Sequence, residues 1–170
     1  GDSVSVNIVT TQFPSANSTI FASGPLQFCS DSSVSLSVAP GQHYIWNTGD
    51  TSQSIVVYQN GNYYAQVTTN DGCVDTTAIL TTTVLPEPDT SITVNGPIAF
   101  CNGDSVTLTA SSGQSYLWNN GDTTNNIVAT SSGNYYVTIT NSDGCSERSA
   151  MTFVNVFSSP DTSIVINGDL

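Results

Sequence analysis

The chain contains no lysine, and it has one arginine, one histidine and one methionine among 170 residues, set against 13 acidic groups. Its formal net charge is −12 and its pI is near 4.1. A chain this poor in cations cannot neutralise phosphates, which argues against nucleic-acid binding and against attraction to an anionic membrane surface. Without lysine there is no Schiff base, no P-loop, and no Lys–Asn isopeptide cross-link. The lone His43 leaves at most one imidazole base, and no Gly-x-Ser-x-Gly nucleophile motif occurs. The four cysteines include no CxxC or CxH pair, so ordinary zinc-ligand spacing is missing. No apolar run approaches the length of a membrane span. The start at Gly1 shows no signal peptide, so the chain reads as a mature form or a fragment.

Ser, Thr and Asn fill the space left by charge, at more than a third of all residues. An even cysteine count in such a chain points to disulfides and an oxidising, extracellular setting.

Internal repetition sets the organisation. Gly24, Pro25, Phe28 and Cys29 recur 72 positions later as Gly96, Pro97, Phe100 and Cys101. Tyr44, Trp46, Gly49 and Asp50 recur as Tyr116, Trp118, Gly121 and Asp122, and Asp71-Gly72-Cys73 as Asp143-Gly144-Cys145. Pro88-Asp89-Thr90-Ser91-Ile92 returns as Pro160-Asp161-Thr162-Ser163-Ile164. Residues 17–88 and 89–160 are therefore two repeats. Residues 1–16, with Val4, Val6 and Ile8 alternating, match the last strand of a preceding repeat, and 161–170 the first strand of a following one. The simplest reading is a window on a longer tandem array.

Each repeat reads as all β. Val34, Leu36 and Val38 alternate with polar residues, as do Val106, Leu108 and Ala110, which predicts strands with one buried face. Tyr44–Trp46 forms the next strand and stops at Gly49, where a tight turn needs positive φ. A strand about Ile55 and Val57 follows, then Gly61–Thr68 with Tyr63, Ala65 and Val67 inward. A long last strand includes Ala78, Leu80 and Val84. Helical periodicity is missing throughout. Short strands with turn signals every eight to twelve residues mean a β-sandwich. A buried Trp on the third strand and a Tyr opening the sixth suit an immunoglobulin-like one. The stretch between Trp46 and Gly61 is too short for two full strands.

Cys29 and Cys73 stand 44 residues apart, as do Cys101 and Cys145. Repeat symmetry favours one bridge per repeat, which would stabilise each small unit by about 4 kcal/mol in the chain-entropy model. The competing arrangement joins Cys29 to Cys145 and leaves Cys73 and Cys101 for repeats beyond this chain. It arises because the two cysteines of one immunoglobulin-like repeat would sit at opposite ends.

The pattern Gly-Pro-x-x-Phe-Cys, Tyr-Leu-Trp-Asn-Asn-Gly, Gly-Asn-Tyr-Tyr-Val-Thr-Ile-Thr and Asn-Ser-Asp-Gly-Cys resembles the immunoglobulin-like repeats of Bacteroidota surface proteins. These include gliding-motility-type adhesins exported by the type IX route, and Trp118–Gly133 is also similar to polycystic-kidney-disease-type domains. The resemblance implies an extracellular, non-catalytic role. It also implies O-glycosylation of Asp-Ser/Thr tripeptides that end in an apolar residue or Thr, found at Ser3, Thr76, Ser105 and Thr123. The chain departs from the family at Tyr64 and Tyr136, where Thr is expected.

The candidate sites follow. His43 is replaced by Ser115 in the second repeat, so it reads as a surface residue. The alternation places Trp46 and Trp118 inward as core. Tyr64 and Tyr136 face outward and are the candidate contact surface for a glycan or another subunit. Asp50/Asp122, Asp71/Asp143 and Asp89/Asp161 recur in both copies. Asp in such turns bonds its own backbone, and a calcium site would need Glu87, Asp89 and Asp143 to converge.

These observations predict two tandem immunoglobulin-like β-sandwiches from a long secreted surface or filament protein. The chain would act as a disulfide-closed spacer or adhesive repeat, with other repeats or neighbouring chains as partners and no enzymatic activity. The alternatives are a carbohydrate-binding or spacer module of a secreted polysaccharide-degrading enzyme, and a filament subunit that polymerises by donating the strand Ser3–Thr10.

Overall fold

The computed structural model describes residues 18–160. The expectations for Ser3, for the strand in residues 1–16 and for residues 161–170 lie outside these. Contacts divide the chain after Val84 into two compact units, against a sequence boundary at 88/89.

The first unit holds β1 (Ile20–Ala22), β2 (Gln27–Cys29), β3 (Val34–Val38), β4 (His43–Trp46), β5 (Ser54–Val57), β6 (Gly61–Tyr63), β7 (Ala65–Thr68), β8 (Val74–Thr76) and β9 (Leu80–Leu85). The second repeats the series as β10 (Ile92–Asn95), β11 (Ala99–Cys101), β12 (Val106–Ala110), β13 (Ser115–Trp118), β14 (Asn126–Ala129), β15 (Gly133–Tyr135), β16 (Val137–Thr140), β17 (Ser146–Arg148) and β18 (Thr152–Phe157). No helix occurs among the described residues.

In the first unit β1-β3-β5 forms one sheet, and β4-β7-β8 and β2-β9-β6 form the facing strands; the second unit copies this order. Each is an all-β, immunoglobulin-like sandwich that lacks a strand between β4 and β5. The period-two pattern explains the core. Val34, Leu36 and Val38 are buried, as are Val106, Leu108 and Ala110, with the intervening Ser and Thr on the other face. Each unit encloses its own apolar cluster, centred on Trp46 in one and Trp118 in the other.

Each tryptophan is 1 % exposed. Its indole Nε1 would be costly to bury without a partner. Trp46 Nε1 donates to the Ser52 carbonyl at 2.9 Å, and Trp118 Nε1 to that of Thr124 at 2.9 Å. The backbone N–H of each Trp donates to Asp50 or Asp122, and its carbonyl accepts from Gly49 or Gly121. Those glycines have φ of 87° and 89°, a conformation that side chains rarely adopt. One residue thus fixes both the core and the turn leaving β4 or β13.

A second clasp lies at the entry to β4 and β13. The Tyr44 hydroxyl accepts from Gly41 N–H at 2.7 Å and donates to its carbonyl at 3.0 Å; Tyr116 does the same to Gly113 at 2.8 and 3.1 Å. The glycine is required by close approach. A Cβ on Gly113 would lie 2.3 Å from Ile139 Cγ2 and 3.2 Å from the Thr140 carbonyl.

The last strand corrects the expectation of one continuous run. It splits into β8 and β9, and in the second unit into β17 and β18, because its ladder with the preceding chain segment is interrupted about Thr77 and Ser149, opposite the breaks at Tyr64 and Tyr136. The Thr77 and Ser149 hydroxyls are buried, and accept from Ala65 N–H at 3.0 Å and Val137 N–H at 3.1 Å. Ala78, between the two pieces, is exposed.

The preferred cysteine pairing is also overturned. Cys29 and Cys145 are disulfide-bonded, whereas Cys73 and Cys101 are free, so neither unit has a bridge within itself. The reason is direction. Cys29 ends β2 and a short turn leads from it to Val34 at the start of β3. Cys73 follows β7, whose end Thr68 pairs with His43, and the turn at Thr69–Asp71 lies beside Pro40 and Gly41, past the far end of β3. The five residues of β3 separate the two by roughly 13 Å, at about 3.3 Å per residue. A disulfide tolerates only about 7 Å between Cα atoms.

Trp118→Ala will cost about 3–5 kcal/mol in urea denaturation. Gly113→Ala will cost about 1–3 kcal/mol through overpacking. Leu117→Ser, beside the tryptophan but exposed, will change stability by less than about 0.5 kcal/mol. If Leu117→Ser matched Trp118→Ala, the assignment of inner and outer faces would be wrong.

Candidate functional site

The strand interruption that separates β6 from β7 falls on Tyr64, and that between β15 and β16 on Tyr136. Both tyrosines leave the ladder because an asparagine side chain takes their backbone N–H. Asn47 Oδ1 accepts from Tyr64 N–H and Asn119 Oδ1 from Tyr136 N–H, each at 3.1 Å. The two rings nevertheless differ in surroundings. Tyr64 is 39 % exposed. Tyr136 is half-buried, with the Arg148 guanidinium 5.0 Å from its ring centroid, a cation–π contact worth about 0.5–1 kcal/mol at such a surface. Thr76 stands in the position of Arg148 in the first unit, so the stacking is particular to the second. Other apolar side chains are exposed at matching places in both units, namely Ile45 and Leu117, Val56 and Val128, and Ile79 and Met151.

The repeated acids sit in turns and bond their own backbone. Asp50 Oδ1 accepts from the Ser52 hydroxyl and from Ser52 N–H at 2.7 Å. Asp122 Oδ1 accepts from the Thr124 hydroxyl and from Thr124 N–H at 2.8 Å. The hydroxyl bond first, then the amide bond, holds each carboxyl below its ordinary value of 3.8. Asp89 caps Ser91 through both its N–H and its hydroxyl, at 3.0 and 3.1 Å. Asp143 donates its N–H to Asn141 Oδ1 at 3.0 Å and keeps its carboxylate exposed. Among the described residues, Asp89 and Asp143 enter no group of three converging metal-ligand atoms. Glu87 is half-buried in the connecting segment.

Of the candidate glycosylation sites, Thr76, Ser105 and Thr123 are exposed, each directly after an aspartate. His43 is exposed at the start of β4, in a pairing with Thr68. An open groove of about 660 Å³ runs along β5, between the Thr48–Asp50 turn and Tyr63. Its polar lining includes hydroxyls, the Asp50 carboxylate and the Gln59 amide.

No protein-family model and no curated protein sequence matches the chain. Among solved structures it is similar to murine CEACAM1b, at 16 % identity and a TM-score of 0.36 over 82 % of this chain and 100 % of that one. It is similar also to the fibronectin(III)-like modules of Clostridium thermocellum CbhA, at 15 % identity and 0.35 over 82 % and 93 %. A 1.5-MDa bacterial ice-binding adhesin aligns at 16 % identity and 0.35 over 89 % and 68 %. At these scores the likeness carries no information on function.

The turn carboxylates give a pH prediction. A carboxyl whose folded pKa is depressed adds stability above its unfolded value, near 3.8, and loses it as pH falls through the folded value. Asp50 and Asp122 will therefore titrate below 3.8 by carboxyl NMR. Ser52→Ala and Thr124→Ala will move each back towards it. An unchanged Asp122 titration in Thr124→Ala would show the hydroxyl bond to be inactive.

Proposed function

We propose that the chain is a non-catalytic structural repeat of a long secreted cell-surface protein, of the immunoglobulin-like adhesin type that its repeats resemble, and that each unit serves as a load-bearing spacer. The observation that carries this reading is the pairing of terminal strands. In the second unit β11, near its start, pairs with β18, at its end, in parallel, through Ala99–Asn155, Phe100–Val156 and Cys101–Phe157. Parallel neighbours place the incoming and outgoing chain at opposite ends. Tension then slides one strand along the other and loads all their hydrogen bonds together, rather than opening them in turn. Asn155 N–H donates to the Ile98 carbonyl and Asn102 N–H to that of Phe157, both at 2.8 Å. The first unit keeps the equivalent bond from Thr83 to Leu26, at 2.9 Å.

The chemistry of the surface supports the same role. His43 has no counterpart in the second unit, so the repeat preserves no catalytic group. The large negative charge keeps neighbouring arrays soluble and apart. The near absence of Lys and Arg leaves one site for trypsin-like cleavage. Disulfide-bonded Cys29 and Cys145 suit an oxidising, extracellular location.

Single-molecule pulling of the whole chain, with disulfides reduced, tests the proposal. Each unit will unfold in one event. Asn102→Pro, which removes the N–H given to Phe157, will lower the unfolding force of the second unit and leave that of the first unchanged. Equal forces in variant and parent would remove the load-bearing role. Saturable binding of the chain to an immobilised polysaccharide would favour the carbohydrate-binding alternative instead.

A further inference from the structure

Two cysteines are bonded and two are free, and the free ones are the repeat equivalents of the bonded ones. Cys101 stands 72 positions after Cys29, and Cys73 stands 72 before Cys145. The backbone frames match as well. Cys29 accepts at its carbonyl from Ser32 N–H at 2.9 Å, and Cys101 from Asp104 N–H at 3.1 Å. Cys145 lies after a turn in which Asn141 N–H donates to its carbonyl at 2.9 Å and its own N–H donates to Asn141 Oδ1 at 3.0 Å. Cys73 lies in the same turn, with Thr69 N–H donating to it at 2.9 Å and the Thr69 hydroxyl oxygen accepting its N–H at 3.2 Å. The closing glycines, Gly72 and Gly144, have φ of 78° and 86°.

We infer that Cys101 and Cys73 are disulfide sites already shaped for bonding, each taking the complementary cysteine of another repeat, so that a Cys101 of one chain joins a Cys73 of the next. Both positions have a bonded counterpart in this chain, in the same local frame. Cys101 is exposed and Cys73 half-buried, so both thiols are within reach of a partner. The two free positions are one of each kind, Cys101 in the place of bonded Cys29 and Cys73 in the place of bonded Cys145, so the pairing is between unlike positions. A contact between unlike positions is head-to-tail, and extends into an open chain wherever its rotation does not close a ring.

The bond needs an oxidant, and a disulfide serves. The Cys101 thiolate attacks oxidised glutathione and releases one reduced glutathione. The Cys73 thiolate of a second chain then attacks the Cys101 sulfur and releases the other. Two thiols lose two electrons and two protons, and one small disulfide becomes two thiols.

The inference rests on the repeat reading but has its own test. The purified chain, incubated with oxidised glutathione, will give on a non-reducing gel a ladder in steps of 17.8 kDa, and the ladder will collapse on reduction. Cys73→Ser alone and Cys101→Ser alone will stay monomeric, while their mixture will stop at the dimer. Peptide mapping of that dimer will show one Cys101–Cys73 link. Dimers from either variant alone, a Cys73–Cys101 link within one monomer, or glutathione adducts with no ladder would each overturn the inference. Such a failure would leave the pulling experiment, done under reduction, unaffected.

Discussion

Everything in each unit hangs on one buried indole. The ring fills the space between facing sheets, and its single polar atom would be a liability there if it were unpaired. The chain answers by folding the segment after the tryptophan back so that the carbonyl of Ser52 or Thr124 meets the Nε1 hydrogen. That requirement sets the length and shape of the turn, demands glycine at 49 and 121, and places Asp50 and Asp122 where they bond the next hydroxyl. The strand after the turn is delivered to the opposite sheet in the right phase. A residue chosen for volume thus also dictates the path of the chain around it.

The missing cations shape the rest. A protein with one arginine cannot stitch its surface with ion pairs, so short hydroxyl and amide side chains take over. Thr77 and Ser149 satisfy backbone donors where the last ladder is interrupted, Asn47 and Asn119 hold the tyrosine breaks, and the Asx-type turns cap themselves. These are short-range bonds made by small side chains with little rotamer entropy to lose. They tolerate changes in ionic strength that would screen a salt bridge.

Much of this was legible in the sequence. The alternation of Val34, Leu36 and Val38 shows the inner face because burial has period two in a strand, and the 72-residue copy confirms each phase twice. The missing strand between Trp46 and Gly61 is legible from length alone. The split at Thr77 and Ser149 was hidden, because a threonine in an alternating run looks like one more outward polar residue. The clasp of Tyr44 on Gly41 was hidden for the same reason, although the spacing Gly-x-x-Tyr, present in both copies, is a signal that could have found it. Repeat symmetry points to one cysteine pairing and strand direction forbids it. Sequence distance says nothing about which end of a sandwich a residue occupies, and that depends on the order of strands in three dimensions. Among the candidate sites, Tyr64 is exposed and Tyr136 half-buried; the shielding of Tyr136 depends on Arg148, which lies on a neighbouring strand and has no fixed spacing from it.

Each unit keeps its own apolar cluster, and the second copies the first residue for residue in phase. An in-frame duplication or loss of the coding stretch for one repeat therefore leaves every surviving core intact. The length of such a protein is open to change by recombination, without new packing having to evolve each time. Selection can then act on length separately from fold.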